Sequence, residues 1–510
     1  MFIVTAKEMY DIDHYTMEKI GLEGKILMEN AGRAVAEKMK RMIQHTDRIM
    51  VAVGPGNNGG DGFVIARTLM ESAYHVKVVQ VVPDEKITGN ARYHKNVWLY
   101  CGGEVEIVLS QMALEDVLRE TDVVIDAIMG IGVKGNLRQP LAGMVRAIND
   151  AKAQTVSVDI PSGLPAGEGV TQFTALVADA TFVIGAPKLS AFLQHTASYY
   201  GEWQAVSIGF PPFVMNKFAK RKHWRKQDVQ ASLPKRETFS HKGDHGRGLV
   251  IGGSATMPGA ITMTSKAALK SGAGLITAAA VKAAFPTIHA HCPEVMCLPL
   301  SEQDGYITNQ SIIPLNDFDA VAIGIGMGRK EATGKLTAEV LEQTEVPLII
   351  DADGLYHLKN HLSILKERTN PTVITPHPKE MATHLDITVQ ELMQKPFHYA
   401  DQFAQEFGVY VILKGKFTII TAPSGEQIVN DTGNPGLAKG GSGDVLTGVV
   451  LAMVMQNQPI FDALCNACYI HGKAADQQIE KRHSYYDLMA TDVIESIPDV
   501  YRSISDHHST

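Results

Sequence analysis

Five cysteines in 510 residues are too few to staple a chain of this length, so a disulfide framework is excluded as the source of its stability. No apolar run reaches the roughly 20 residues that a membrane-spanning helix needs. The opening Met-Phe-Ile-Val-Thr-Ala-Lys-Glu-Met-Tyr-Asp-Ile-Asp mixes acids into its apolar residues and has neither the basic n-region nor the apolar core of a secretory signal. No membrane partner and a cytoplasmic location are expected. An excess of positive charge is also lacking: the formal net charge is −8, which argues against a nucleic-acid-binding surface. The ligand should be small.

What is present is core and glycine. With 45% hydrophobic residues, the chain can bury more than one core and is too long for one domain of about 100 to 250 residues. Residues 8–42 read as helical, with Ile26, Leu27, Ala31, Ala34, Val35 and Met39 on one apolar face. An apolar strand, 49–53, then runs into Gly-Asn-Asn-Gly-Gly-Asp-Gly at 56–62, with a helix expected over 63–72. Strand, glycine loop and helix make a mononucleotide-binding half-unit. Further strands are expected at 75–82, 105–109, 123–129, 155–160 and 180–184. This is the signature of a parallel sheet covered by helices, with ligands at the carboxyl ends of its strands.

Three of those ends carry polar residues: Asn57, Asn58 and Asp61; Asp126 with Gly130-Ile-Gly-Val-Lys-Gly135; and Asp159 with Pro161-Ser-Gly163. Oxygens of Asn58, Asp126 and Ser162 could surround a hard monovalent cation, while glycine-rich backbone and Lys134 meet a pyrophosphate. Asp126 and Asp159 could equally cap helices or fasten turns. Cys465-Asn-Ala-Cys468 with His471 lies on a helical apolar pattern and lacks a second cysteine pair, so a buried helix is expected there and zinc is not.

Phe210-Pro-Pro-Phe213 closes the first pattern, and the basic run 217–226 reads as a solvated connection. The domains are placed at 1–212 and 229–510, with 213–228 as linker. The second series of strands is expected at 248–252, 275–281, 295–300, 320–325, 348–350, 372–374 and 410–413, with a helix over 260–271. Thr375-Pro-His-Pro-Lys-Glu380 offers His377 for hydrogen bonding, against an Xaa-Pro turn with a buried imidazole, and Glu380 for water-mediated magnesium binding. Lys414-Gly-Lys-Phe-Thr418 sits at a strand-to-strand turn.

The richest stretch is Gly433-Asn-Pro-Gly-Leu-Ala-Lys-Gly-Gly-Ser-Gly-Asp-Val-Leu-Thr-Gly448, six of whose sixteen residues are glycine. Backbone N–H groups of such a loop, with the helix start behind it, favour a phosphate. Asp444 at that start could take a proton from an attacking hydroxyl, or could be an ordinary helix-terminal acid. The Gly-Gly-Ser-Gly-Asp pattern resembles the anion hole and base of the ribokinase-like superfamily, and the whole stretch resembles its ADP-dependent NAD(P)HX dehydratase branch.

With Gly252-Gly-Ser254 and Gly259-Ala260, residues 229–500 are similar to that branch in motif order. The three strand-end motifs make residues 1–212 resemble NAD(P)HX epimerases, which are Rossmann-like. The resemblance implies a bifunctional enzyme that epimerises (R)- and (S)-NAD(P)HX and dehydrates the (S) form, with ADP as co-substrate converted to AMP and phosphate. It carries the hydrated nucleotide of the epimerase to Asn57, Asn58, Gly59, Gly60 and Asp61, to Gly130, Ile131, Gly132, Val133, Lys134, Gly135 and Asn136, and to Asp159, the candidate acid/base. It carries potassium ligands to Asn58, Asp126 and Ser162. In the second half the nucleotide site falls on Lys414, Gly415, Lys416, Phe417, Thr418 and Gly443, and the hydrated nicotinamide on Ala260, Gly326, His377 and the catalytic Asp444. Magnesium is implied, and a homo-oligomer is expected. Lys379 departs from the family's more usual glycine. A ribokinase-like vitamin or sugar kinase with a fused non-catalytic nucleotide-binding domain is the alternative, and a third reading makes the first half a non-catalytic nucleotide-binding or protein-interaction module.

Overall fold

A computed structural model describes residues 1–133 and 135–505. It divides into two compact units, Met1–Arg221 and Lys222–Thr510. Among the described residues no helix is long and apolar enough to cross a membrane.

The first unit is built on a parallel sheet whose strands lie in the order Val105–Ile107, His75–Gln80, Arg48–Val53, Val123–Ala127, Gln154–Val158, Ala180–Ile184, Glu202–Val206. The chain winds outward from Arg48–Val53 in one direction and from Val123–Ala127 in the other, so the topological switch falls between these two strands. Their side chains are buried from Ile49 to Val53 and from Val123 to Ala127, as expected for strands covered on both faces. Two apolar layers flank them: Val35, Met39, Phe63 and Leu69 on one side, Leu114, Met144, Val145 and Ile148 on the other.

Several sequence expectations are corrected here. The helix expected over 8–42 is broken: Ala6–Tyr15 continues as a π-helical turn, Thr16–Ile20, and Gly24–Met39 is a separate helix, with Gly21 between them in the left-handed region at φ 81°. Ile26, assigned to the apolar face, is exposed. The helix expected to begin at 63 begins at Asn57 and runs to Glu71, so the glycine loop is really its first turns. The glycines serve close approach: a Cβ on Gly59 would lie 2.1 Å from the Gly54 carbonyl oxygen, and one on Gly62 2.7 Å from the Ala127 Cβ. The strand Glu202–Val206 had no counterpart in the sequence reading. The basic run read as a solvated connection is structured, falling on the helix Pro212–Phe218, the strand Arg221–His223 and the start of the helix Lys226–Ser232.

Within the second unit the strands run in the order Gln427–Asn430, Thr418–Thr421, Tyr410–Leu413, Thr372–Ile374, Leu348–Ile350, Ala320–Ile325, Arg247–Gly252, Leu275–Ala280, Met296–Pro299. The pairs from Tyr410–Leu413 through Met296–Pro299 are parallel, and the hairpin Thr418–Thr421 with Gln427–Asn430 is antiparallel. Helix Ser442–Val454, apolar on every side from Val445 onward, is buried against Pro258–Lys270. Gly448 permits the crossing, since a Cβ there would stand 2.2 Å from the Thr264 carbonyl oxygen.

Candidate functional site

Each unit has a cavity at the carboxyl ends of its parallel strands, where open α/β sheets bind ligands. In the first unit it encloses about 590 Å³ and sits at the topological switch. Asn57, Asn58 and Asp61 line it from the glycine-rich helix, Gly130 to Val133 from the next strand end, and Asp159 from the one after. Gly59 and Gly60 are spent on packing, since a Cβ on Gly60 would meet the Met28 sulfur at 2.3 Å. Gly135 and Asn136 line a neighbouring space of about 420 Å³ that shares Met129, Gly132 and Val133. Lys134 lies outside the described residues.

Asp159 is a strained position, a non-glycine residue at φ 70°, of the kind that clusters at working sites. Its Oδ1 accepts from the Ile184 N–H at 2.9 Å and from Lys188 Nζ. Lys188, not singled out in the sequence, is completely buried and lines the same cavity with Asp13 from helix Ala6–Tyr15. Burial pushes the Asp13 carboxyl up to about 6, Lys188 opposing and Asp159 adding to the rise. Asp61 is raised well above the carboxylate range, first by burial and then by Asp159 and Asp13.

Beneath the cavity floor Asp126 and Ser162 are fully buried. Asp126 accepts from Ser162 Oγ at 2.5 Å, Ser162 N at 2.9 Å, Ser157 Oγ at 2.8 Å and Ile128 N at 3.3 Å. Burial raises its carboxyl and these donors oppose the rise. Asn58 donates through Nδ2 to the Val158 carbonyl at 2.6 Å, while its buried Oδ1 has no hydrogen-bond partner among the described residues. A buried acceptor left open costs about 1 to 3 kcal/mol, a cost that a bound cation would remove.

In the second unit the cavity encloses about 910 Å³. Strand ends bring Asp351, His377 with Glu380, and Lys414 to it, and the glycine-rich segment closes it from 433 to 444. Gly441, at φ 93°, caps helix Ser442–Val454. The first bond into this turn is Val445 N–H to the Gly441 carbonyl at 3.0 Å, which leaves the Gly443 and Asp444 N–H groups with no acceptor among the described residues. They form the start of an anion cradle.

Lys414 binds Asp351 Oδ1 at 3.0 Å, and Thr447 Oγ1 donates to Asp351 Oδ2 at 2.6 Å. Burial raises Asp351, but Lys414 first, with Thr447 and Thr375, holds it below its usual value. Burial lowers Lys414, yet Asp351 and Glu380 hold its ammonium above the usual range. A Cβ on Gly443 would come 3.4 Å from Lys414 Nζ and 3.7 Å from Asp351 Oδ2, which places this glycine directly beside the ion pair. Asp444 is pushed up to about 7, chiefly by burial, then by Asp351, with Lys414 opposing. Its carbonyl accepts from Thr264 Oγ1 at 2.9 Å, fixing the turn while the carboxyl faces the cavity.

His377 departs from the buried-imidazole alternative. It is exposed and caps helix Pro378–Leu385, its Nδ1 accepting from the Lys379 and Glu380 N–H groups at 3.2 Å. Gly415, Lys416 and Thr418 line the cavity, while Phe417 is absent from its lining. Ala260 and Gly326 lie against each other, a Cβ on Gly326 meeting the Ala260 Cβ at 3.0 Å, but at the switch between Arg247–Gly252 and Ala320–Ile325 and not in the lining with Asp444. Cys465 and Cys468 are buried in helix Ile460–Lys481 as expected, Cys468 pushed to about 12 and His471 to about 4 by burial. The sequence did not reveal that Cys468 and His471 also wall the cavity. Asp351 was missed too: an acid one residue past an apolar strand gives no separate signal.

An acid at the mouth of an amide cradle, beside a Lys–Asp pair, is chemically suited to phosphoryl transfer, and it is joined in this chain to a second unit built on a parallel sheet. The comparisons agree. A family model described as NAD(P)H-hydrate dehydratase matches residues 248–499, and one described as YjeF-related protein N-terminus matches residues 24–190. The bifunctional NAD(P)H-hydrate repair enzyme Nnr of Moorella thermoacetica is 36% identical over 100% of this chain and 98% of its own length. Its counterpart from Escherichia coli K12 is 32% identical over 94% and 90%. Among solved structures, the ADP/ATP-dependent NAD(P)H-hydrate dehydratase of Bacillus subtilis, co-crystallised with ATP and Mg2+, has a TM-score of 0.50 and 32% identity, covering 56% of this chain and 99% of that one. A ribokinase-like superfamily protein of Enterococcus faecalis has a TM-score of 0.50 and 25% identity, covering 56% and 96%. The chain belongs to the bifunctional NAD(P)H-hydrate repair enzymes. It is an enzyme of two activities, an epimerase and an ADP-dependent dehydratase.

Proposed function

We propose that the cavity of the first unit is the epimerase site, acting on (R)- and (S)-NADHX and NADPHX, and that the cavity of the second is the dehydratase site, acting on the (S) form with ADP. The observation that carries the reading is Asp444: a carboxyl raised to about 7, at a helix start whose N–H groups face the same cavity. Hydroxide leaves a ring carbon poorly and phosphate leaves well. Asp444 takes the proton of the ring hydroxyl, the amides at 443 and 444 and the Lys414 ammonium neutralise the moving phosphoryl group, and elimination restores the double bond with release of AMP and phosphate. His377, Gly415, Lys416 and Thr418 border the same space and hold the two nucleotides.

Magnesium fits the donors modestly. Among the described residues no group of three or more acidic, His or Cys side chains could hold a metal by itself, and a carboxylate such as Glu380 with nucleotide phosphates is the usual arrangement for this ion. Bound there, it would draw charge from the phosphates. Potassium fits Asn58, whose buried Oδ1 has no hydrogen-bond partner among the described residues, with Asp126 and Ser162 as the further oxygen donors; it would fix the strand ends under the ligand. We assign the working domains to 1–212 and 229–510. Asp159, ion-paired with Lys188, is the acid/base residue of the first site.

The test is to incubate mixed-epimer NADHX with ADP and magnesium and follow the return of NADH absorbance. Complete return requires both activities, and a plateau at the (S) fraction contradicts the first. Accumulation of a stable phosphorylated product would favour the kinase alternative.

A further inference from the structure

Among the described residues the first cavity is lined by three carboxyls, those of Asp13, Asp61 and Asp159, and by one lysine, Lys188. Lys188, completely buried, is committed to Asp159 and to the Ile184 carbonyl at 3.3 Å. Asp13 and Asp61 line the same space, and neither side chain has a hydrogen-bond or ion-pair partner among the described residues. Asp61 is only 7% exposed. Holding unpaired acids in a pocket costs folding energy, and acids pushed apart in proton affinity within one site are the mark of a division of labour. Asp159 enters from a strand end beside its lysine. Asp13 enters from a different element, helix Ala6–Tyr15, anchored at its own start by Thr5 and Glu8, whose side chains bond each other's backbone N–H at 3.1 Å and 2.8 Å.

We propose that Asp13 is a second catalytic residue of the epimerase site, giving the proton with which the ring hydroxyl departs, while Asp159 takes the proton of the water that returns on the other face. The inference rests on this cavity being the epimerase site. The balance is closed without an oxidant or a further reactant. The C–O bond beside the ring nitrogen breaks, the nitrogen lone pair forms C=N, and the hydroxyl leaves as water with the Asp13 proton. A water adds from the opposite face, the C=N electrons return to nitrogen, and its proton passes to Asp159. In the reverse direction the two acids exchange roles. Lys188 is a positioning residue, holding the Asp159 carboxyl in place through their ion pair.

The test uses the full chain and one purified epimer, with exchange followed in water enriched in ¹⁸O. Each inversion should deposit one labelled oxygen on the ring. Asp13→Asn should lower kcat by about a hundredfold, and Asp13→Glu should recover part of that loss. The wild-type rate should also bend near pH 6, and the Asn variant should lose that bend although Tyr10, His14, Asp61, Asp159 and Lys188, which face the same cavity, remain. Inversion without label, or an Asp13→Asn rate within twofold of wild type, overturns the inference. If Asp159→Asn is then inactive while Asp13→Asn is active, the site reading stands and only the role of Asp13 falls. If both variants are fully active, the site reading falls as well.

Discussion

Both cavities set a lysine–aspartate pair beside a carboxyl of raised proton affinity, and the pairs are buried differently. In the first, the lysine is completely buried and its aspartate side chain is 14% exposed. In the second, the aspartate is the buried member at 2% and the lysine side chain is 21% exposed. The first arrangement aims a carboxylate at the ligand, as proton transfer requires; the second aims an ammonium at it, as a phosphate requires. The glycine-rich helix starts divide in the same way. That at Asn57–Glu71 is packed tight against Gly54, Met28 and Ala127, whereas Gly440 has open space and Gly443 borders only Lys414 and Asp351.

The largest effect should separate the two activities. Asp444→Asn should slow dehydration of (S)-NADHX by about a thousandfold while ADP binding, measured by calorimetry, stays within a few-fold. Retained dehydration would remove Asp444 from the mechanism.

Breaking each ion pair sharpens the contrast. Lys414→Met strands Asp351 with almost no access to solvent, and should cost about 3 to 5 kcal/mol in chemical unfolding. Lys188→Met leaves the partly open Asp159 and should cost less. The reverse order would mean that burial of the acid is not what decides.

Asp444 should also destabilise the fold it serves. Its folded proton affinity is raised, so nothing is lost below the unfolded value near 3.9, and the cost grows as pH rises to about 7. Asp444→Asn should therefore melt higher than wild type at pH 8, by up to ~3 kcal/mol after allowance for the cavity's access to water, and the gain should vanish at pH 4. A variant less stable at pH 8 would show that the carboxyl is held by partners instead. The smallest effect concerns the first cavity: potassium should raise the wild-type melting temperature by a few degrees and leave Asn58→Ala unmoved.

The strands were readable because each is a short apolar run buried on both sides; Ala180–Ile184, Ala320–Ile325, Leu348–Ile350, Thr372–Ile374 and Tyr410–Leu413 fall where the pattern sets them. The glycine motif at 56–62 was misread as a loop because composition does not reveal whether glycine frees the backbone or admits a neighbour. Asp444 was visible through its glycine setting. Asp13, Lys188 and Asp351 were not: each stands in unremarkable local sequence, and its meaning comes from groups far along the chain, Asp159 for Lys188, Lys414 for Asp351 and the shared cavity lining for Asp13. Lys379 has no ion-pair partner among the described residues, and nothing in its surroundings explains it.

The most direct test is the dependence of dehydration on pH with saturating ADP and (S)-NADHX. If Asp444 is the base, the rate should climb tenfold per unit below pH 7 and level above it. A rate unchanged between pH 5.5 and 8 would contradict proton removal by this carboxyl.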